Sequence, residues 1–404
     1  RLGVGRDVSP IPVTLHSKID PEPFMRTQPP ARPFDTPERA AFRDMVAAFI
    51  AKEIAPYADE WDEAGDFPWV LHEKAGELGL FGFGIPEEYG GLGFDDALMR
   101  YDSGTLMGYA GVGGVNASLF SRGIMTGPIV QLASEDQKKT ALTEIVSGKA
   151  GGALAMTEPS GGSDLANLKT RARKSGDKWI IDGEKTFITG GMKAGWYVVG
   201  ARTGGEGFGG VSLFLVPSDA PGFSRTEIAR KMGWWCSDTA TLHFDGCEVP
   251  AENQLGQEGA CLLAIMDNFN YERLSLAAGC LGMARRCLDD AIEYATQRET
   301  FGRPLITRQA IRHKIADMSA KIDSLDAYIQ MIAWRINQAR DEGGPMPAAE
   351  LAKVKALSSK TAEFCASEAM QILGGAGYLR GCAVERIYRE VKVMAIGGGS
   401  EEIM

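Results

Sequence analysis

The pattern of apolar positions divides the chain into three regions, and the last of them is helical. Between residues 255 and 404, apolar side chains recur at every third or fourth position, as on one face of an α-helix. One stripe consists of Leu274, Ala277, Ala278, Leu281, Ala284, Leu288 and Ile292, and a second of Ile311, Ile315, Met318, Ile322, Leu325 and Ile329. A third stripe covers about residues 347–373, so the pattern predicts an antiparallel helical bundle.

The region from 150 to 253 carries the shorter apolar runs of β-strands. Residues 178–181 and 184–189 flank the pair Asp182-Gly183, which predicts a hairpin with its turn at that pair. Three more strand-like runs, 196–199, 211–216 and 239–244, are separated by turn residues. We therefore predict a small antiparallel β domain, a barrel or a sandwich.

Residues 37–149 again show helical spacing. Thr36 supplies a capping hydroxyl, Pro37 suits a first helical position, and the glycine-rich stretch 83–93 must be a loop. The expected fold class is α+β, with a helical domain (37–149), a β domain (150–253) and a helical bundle domain (254–404).

A proline-rich leader, residues 1–36, precedes these domains. Because 8 of the 19 prolines lie within the first 37 residues, we expect it to be extended over the surface. It has no long apolar stretch, so we do not expect it to act as a secretory signal, and Met25 is a candidate for the natural start.

Composition narrows the function. The chain has 404 residues, 44% of them hydrophobic and 24% charged, as in globular proteins. A net charge of −10 disfavours nucleic acid as a partner but still allows an anionic small ligand. The seven cysteines include no Cys-x-x-Cys pair and the four histidines are scattered, so we expect reduced thiols in an intracellular protein and no metal site. No apolar run approaches the ~20 residues of a membrane span.

Four segments are candidates for ligand binding, and each has a simpler alternative. Residues 156–164 let backbone N–H groups approach an anion, or form a plain surface turn. Residues 187–191 place an aromatic beside a hydroxyl, which suits a planar cofactor or an ordinary strand end. Residues 371–378 hold more glycines than helix termination needs. For residues 396–402 the alternative is a flexible tail followed by a capped helix.

One motif is misleading. Gly205-x-Gly207-x-x-Gly210 has the spacing of a dinucleotide-binding loop, but it lies between two predicted strands with no helix after it. We therefore predict a flexible loop there. The chain has no Gly-x-Ser-x-Gly nucleophile motif and no P-loop.

Taken in order, five motifs resemble those of the acyl-CoA dehydrogenase family, the flavoenzymes that desaturate acyl-CoA thioesters at the α,β bond. They are Pro86-Glu87-Glu88-Tyr89-Gly90-Gly91, Thr157-Glu158-Pro159 with Gly162-Ser163-Asp164, Gly183-x-Lys185 with Ile188-Thr189, Arg298-x-Thr300-Phe301-Gly302, and Gln371-Ile372-Leu373-Gly374-Gly375. The resemblance covers about residues 37–404. It implies a helical domain, a β domain and a C-terminal four-helix bundle, with FAD as cofactor, a homotetramer, and an electron-transfer flavoprotein as partner.

The resemblance also implies roles for individual residues. Flavin contacts fall on Leu154, Met156, Thr157, Gly162, Ser163, Phe187 and Thr189, with Thr189 close to N5 of the ring. The FAD of a neighbouring subunit would be reached by Arg298, Phe301, Arg308, Gln309, Gln371, Leu373, Gly374 and Gly375, and further flavin contacts match Ser400 and Glu402. The acyl-CoA substrate would contact Ser163, Asn270, Arg273 and Gly399.

The catalytic base departs from the family's commonest pattern. That base is a glutamate whose position is Gly398 here, and glycine cannot take a proton. In the isovaleryl-CoA and long-chain branches the base lies on the first long helix of the bundle, which implies Glu272 in this chain. Burial beside an apolar acyl chain would raise the pKa of Glu272 toward the working range, and the backbone N–H of Gly398 would still serve the thioester oxygen. A solvated helix residue is the alternative for Glu272.

Three functions remain open from the sequence. The leading one is α,β-dehydrogenation of an acyl-CoA to the trans-2-enoyl-CoA, in fatty acid or branched-chain metabolism. The second is an oxygen-reactive flavoenzyme similar to acyl-CoA oxidases. The third, a catalytically silent flavoprotein, is motivated by Gly398. The expected compartment is the cytoplasm of a bacterium or the mitochondrial matrix of a eukaryote.

Overall fold

Helices form the first part of the chain. The structure, a computed structural model, describes residues 25–26, 32–205 and 207–404, so most of the predicted leader lies outside the described residues. The N-terminal helices are α1 (Pro37–Glu53), α2 (Ala58–Ala64), α3 (Val70–Glu77), α4 (Ala97–Tyr109), α5 (Gly113–Phe120), α6 (Gly123–Leu132), α7 (Glu135–Gln137) and α8 (Thr143–Val146). As predicted, α1 is capped by Thr36, whose hydroxyl accepts the Arg39 N–H at 3.3 Å.

Strands form the middle part. They are β1 (Gly151–Ala155), β2 (Arg171–Ser175), β3 (Lys178–Thr189), β4 (Ala194–Arg202), β5 (Val211–Pro217), β6 (Phe223–Glu227), β7 (Thr239–Pro250) and β8 (Gln254–Leu255). The sheet order is β6-β7-β3-β2-β4-β5-β8, and β1 pairs with β4. Most pairs are antiparallel, as predicted, whereas β1 and β2 each run parallel to β4. Strands β1, β2, β6 and β8 were not predicted.

The predicted hairpin at Asp182-Gly183 is wrong. These residues lie inside the single long strand β3, where the pairing with β7 shifts register. A Cβ on Gly183 would stand 2.6 Å from the Thr170 hydroxyl oxygen, so the glycine marks a bulge with a close backbone contact. The real turn lies between β2 and β3, since Ser175 pairs with Lys178.

A helical bundle completes the chain. It consists of α9 (Leu262–Gln297), α10 (Gln309–Glu342), α11 (Ala348–Leu373) and α12 (Ala383–Ile396), and a two-stranded ribbon, β9 (Glu299–Thr300) and β10 (Arg303–Pro304), joins α9 to α10. The small residues of the α9 stripe are buried and let α4 pack against it. The contact is close enough that a Cβ on Gly282 would stand 2.0 Å from the Thr105 carbonyl oxygen.

Two features are absent from the residues that the structure describes. Within residues 25–26, 32–205 and 207–404, no helix is long and apolar enough to cross a membrane. The same residues hold no group of three or more His, Cys, Asp or Glu side chains that could bind a metal ion. Gly205 and Gly207 lie in the connection between β4 and β5, as the sequence predicted for the misleading glycine motif.

Candidate active site

The loop after β1 is fixed by a buried ion pair. Lys185 of β3 is fully buried and donates to the Glu158 carboxylate at 2.8 Å and to the Met156 carbonyl at 3.0 Å. Glu158 also accepts the backbone N–H groups of Lys169 and Thr170 at 2.6 and 3.0 Å. Burial alone would raise the pKa of Glu158, but Lys185 and these donors hold it below its usual range. The predicted cofactor loop is therefore rigidly attached to the sheet.

Phe187 presents an aromatic ring beside that loop. Its backbone adopts φ +58°, a conformation that non-glycine residues rarely take, and 68% of its surface is exposed. The preceding residue is tied to the loop, since the Thr186 N–H donates to the Thr157 carbonyl at 2.9 Å. A strained backbone that exposes an apolar ring is typical of a ligand-binding position.

A second exposed aromatic lies in the connection between α9 and α10. Phe301 has φ +50° and 97% of its surface exposed. The Arg308 guanidinium lies 5.7 Å from the centre of its ring and donates to the Thr300 carbonyl at 2.6 Å. Arg298, just after α9, and Gln309, the first residue of α10, are exposed at the two ends of this connection. Four of the residues predicted to reach a neighbouring subunit thus share one surface region.

The glycines after α11 offer backbone rather than side chains. A Cβ built on Gly374 or Gly375 meets no described atom within 4 Å, and Gln371 is exposed. The side chains of Leu373 and Met156, by contrast, pack in the protein core. Any contact of Leu373 or Met156 with a cofactor would therefore be made by the backbone.

The structure brings Glu272 and Gly398 together. Gly398 follows α12 with φ +66°, and a Cβ on it would stand 3.6 Å from a carboxylate oxygen of Glu272 on α9. The same Cβ would stand 2.4 Å from the Leu276 side chain, one helical turn beyond Glu272. Among the described residues, the Gly398 N–H has no hydrogen-bond acceptor. A carboxylate and a backbone N–H without an acceptor among the described residues thus lie at the same place in the fold.

Glu272 has the electrostatic environment of a base. Burial raises its pKa to about 7, although Arg273 and Lys355 act in the opposite direction. In the part of the chain that the structure describes, its carboxylate makes no hydrogen bond or ion pair. A carboxyl group that titrates near neutral pH can accept a proton with useful driving force.

The predicted substrate residues lie on the same helix. Arg273 donates to the buried Asn270 side chain at 3.2 Å, and its Nε is buried without a partner among the described atoms. The Nη2 atom of Arg273 lies 4.0 Å from a Cβ built on Gly399. An orphaned buried donor fits an acceptor group supplied by a ligand. Ser163, Ser400 and Glu402 lie at the surface, in the loop after β1 and in the segment after α12.

Sequence reasoning missed two buried lysines. The sequence patterns include Lys185 only as part of a motif, and they do not single out Lys355 on α11, whose amino group donates to the Gly399 carbonyl. The available signal was position: Lys355 falls between Val354 and Ser358 on the buried face of the third apolar stripe. Lysine is so often exposed that this placement alone indicates a specific partner.

Three family models match the chain. The model described as the acyl-CoA dehydrogenase N-terminal domain matches residues 36–149, the middle domain 153–247, and the C-terminal domain 262–404. The chain therefore belongs to the acyl-CoA dehydrogenase family, and it is an oxidoreductase and a flavoprotein.

Individual proteins support the same assignment. The probable acyl-CoA dehydrogenase YngJ of Bacillus subtilis is 38% identical over 373 residues, which are 91% of this chain and 96% of that protein. The solved structure of a putative acyl-CoA dehydrogenase from Mycobacterium smegmatis has 42% identity and a TM-score of 0.87, covering 91% of this chain and 96% of that one. A chain solved for the electron transferring flavoprotein of Acidaminococcus fermentans has 35% identity and a TM-score of 0.86, covering 92% and 96%.

This family depends on FAD, and the residues present fit that cofactor. Phe187 offers an exposed ring beside a loop whose backbone is fixed by Glu158 and Lys185. The open space around Gly374 and Gly375 allows a ligand to approach their backbone directly. The predicted cofactor and its candidate residues are therefore chemically compatible.

Proposed function

We propose that the protein catalyses α,β-dehydrogenation of an acyl-CoA thioester to the trans-2-enoyl-CoA, with Glu272 as the catalytic base. The observation that supports this most strongly is the 3.6 Å distance between the Glu272 carboxylate and a Cβ built on Gly398. In the family's commonest pattern, the residue at this position is the catalytic glutamate, and its side chain would start from that Cβ. The carboxylate of Glu272 thus reaches the same space from α9.

The proposed roles of the chain's own residues follow from the geometry. Glu272, ionised, takes the proton from the carbon beside the thioester carbonyl and holds it on a carboxylate oxygen. The free N–H of Gly398 donates to the thioester oxygen and stabilises the charge that develops there. Asn270, Arg273, Gly399 and Ser163 contact the acyl-CoA. When bound, FAD supplies the acceptor for the hydride from the β carbon.

Two surface regions would hold the cofactor, namely the loop after β1 with Phe187 and the α9–α10 connection with residues 371–375. Leu154 to Ser163, Phe187 and Thr189 would contact one FAD from its own subunit. In the homotetramer that we propose, the α9–α10 connection and residues 371–375 would contact the FAD of a neighbouring subunit, and Ser400 and Glu402 would add contacts. The electron acceptor that we propose is an electron-transfer flavoprotein.

An anaerobic absorbance titration tests the proposal. Purified FAD-loaded protein is titrated with isovaleryl-, isobutyryl-, butyryl-, octanoyl- and palmitoyl-CoA, and at least one is expected to bleach the flavin band. Bleaching by none of them would contradict the proposed reaction. Rapid reoxidation of the bleached protein in air would instead favour the oxygen-reactive flavoenzyme.

A further inference from the structure

Lys355 ties α11 to the glycine segment of the candidate site. Only 1% of its surface is exposed, and its amino group donates to the carbonyl of Gly399. One turn further along α11, the Ser359 hydroxyl donates to the Glu401 carboxylate at 2.7 Å. Residues 397–402 are therefore held by the same helix at two points.

The charge of Lys355 also acts on the candidate base. The charged groups near Glu272 are Arg273 on its own helix and Lys355 on α11, and both lower the pKa that burial raises. Burial lowers the pKa of Lys355, whereas Cys280, Glu401 and Glu272 raise it and Arg273 lowers it further. Lys355 thus interacts with the glycine segment through a hydrogen bond to Gly399 and with Glu272 through its charge.

We propose that Lys355 is a positioning residue, which fixes the backbone of Gly398 beside the Glu272 carboxylate by donating to the Gly399 carbonyl. Its charge is the second part of this role, because it favours the ionised form of Glu272. This inference rests on the proposed function. A lysine that served only to fill the bundle would be costly there, since an apolar side chain of similar length packs without desolvating a charge. The hydrogen bond of Lys355 to Gly399 and its charge near Glu272 explain why that cost is tolerated.

Four variants separate the two parts of this role. Lys355→Met removes the donor and the charge at nearly constant volume, whereas Lys355→Arg keeps both. Ser359→Ala loosens the second attachment without changing the charge. Lys353→Met is the matched control, because Lys353 is exposed on the same helix.

Two measurements are made on each FAD-loaded variant. One is kcat with the best acyl-CoA of the panel. The other is an infrared difference titration of the Glu272 carboxyl, obtained by subtracting the spectrum of the same protein carrying Glu272→Gln. The infrared titration needs no substrate, so it tests the coupling of Lys355 to Glu272 even if no acyl-CoA reacts and the proposed function fails.

We expect Lys355→Met to lower kcat by about tenfold or more, the effect of losing one charged hydrogen bond. Its Glu272 titration should move to higher pH by about half a unit or more, because a stabilising cation is gone. Lys355→Arg should recover most of both properties, Ser359→Ala should lower kcat without moving the titration, and Lys353→Met should change neither.

Equal titrations of Glu272 in the parent protein and Lys355→Met, with kcat changed by less than about twofold, would overturn the inference. If Lys355→Met does not fold, Ser359→Ala and Lys355→Arg decide the matter. Full activity in Ser359→Ala together with a displaced Glu272 titration in Lys355→Arg would then contradict it.

Discussion

Strand β3 carries two lysine–glutamate pairs of nearly equal length and very different burial, which allows a sharp test of what holds the cofactor loop. Lys185 and Glu158 are 2.8 Å apart with 0% and 2% of their side chains exposed. Lys178 and Glu248 are 2.7 Å apart with 50% and 43% exposed. Lys185→Met and Lys178→Met therefore remove the same group from one strand in two environments.

Removing Lys185 leaves the Glu158 carboxylate buried with only its backbone donors and the Ser160 hydroxyl. Breaking a buried pair in this way costs about 3–5 kcal/mol, because the remaining charge is no longer compensated. Lys178→Met should change the free energy of unfolding far less, since water already solvates that pair. We expect Lys185→Met also to lose FAD, because the Met156 carbonyl and the loop lose their attachment.

Urea unfolding, followed by circular dichroism and flavin fluorescence, measures both effects. The pKa of Glu158 is lowered in the folded protein. The contribution of its carboxylate to the free energy of unfolding is therefore present above about pH 4.5 and is lost as the pH falls below that value. Lys185→Met should lack this acid-dependent loss. Equal destabilisation by the two substitutions, or an unchanged FAD affinity in Lys185→Met, would refute the reasoning.

Three further predictions concern the base, the helix packing and the flavin platform. Because burial raises the pKa of Glu272 to about 7, kcat/KM should rise with pH to a plateau with a midpoint near 7, and a flat profile between about pH 5 and 9 would contradict this. Gly282→Ala should lower the free energy of unfolding by about 3 kcal/mol or more in urea titrations, because the new Cβ would stand 2.0 Å from the Thr105 carbonyl oxygen. Gly123→Ala is the control and should not destabilise the protein, because a Cβ there meets open space. Phe187→Gly should stabilise the FAD-free protein by about 1 kcal/mol, because glycine adopts a φ of +58° without strain. The same substitution should weaken FAD binding in fluorescence titrations. A loss of stability in the FAD-free protein would argue against backbone strain at Phe187.

The sequence predicted the helices well because their apolar stripes are long and regular. The strands were predicted less completely, since β1, β2 and β6 are only five residues each. The error at Asp182-Gly183 has a local cause. An Asp-Gly pair favours a tight turn, but the same conformational freedom serves a bulge, and only the pairing of β3 with β7 decides between them.

The candidate site depended on long-range contacts that local patterns do not contain. Glu272 and Gly398 are 126 positions apart, and composition alone favours a solvated glutamate. Their proximity was expected only through the family resemblance. The buried positions of Lys185 and Lys355 were not expected, because each is fixed by a carbonyl oxygen that the sequence does not identify.

The proposal that Glu272 is the base is tested most directly by isotope exchange at the substrate's α carbon. An acyl-CoA that bleaches the flavin is prepared with deuterium at the α carbon and mixed anaerobically with the parent protein, Glu272→Gln or Asp267→Asn, and mass spectrometry follows loss of the label. Asp267 is an exposed carboxylate on the same helix and serves as the control. We expect Glu272→Gln to retain FAD and to slow loss of the label by about a thousandfold or more, with Asp267→Asn unchanged. Near-normal loss of the label in FAD-loaded Glu272→Gln would contradict the assignment of the base.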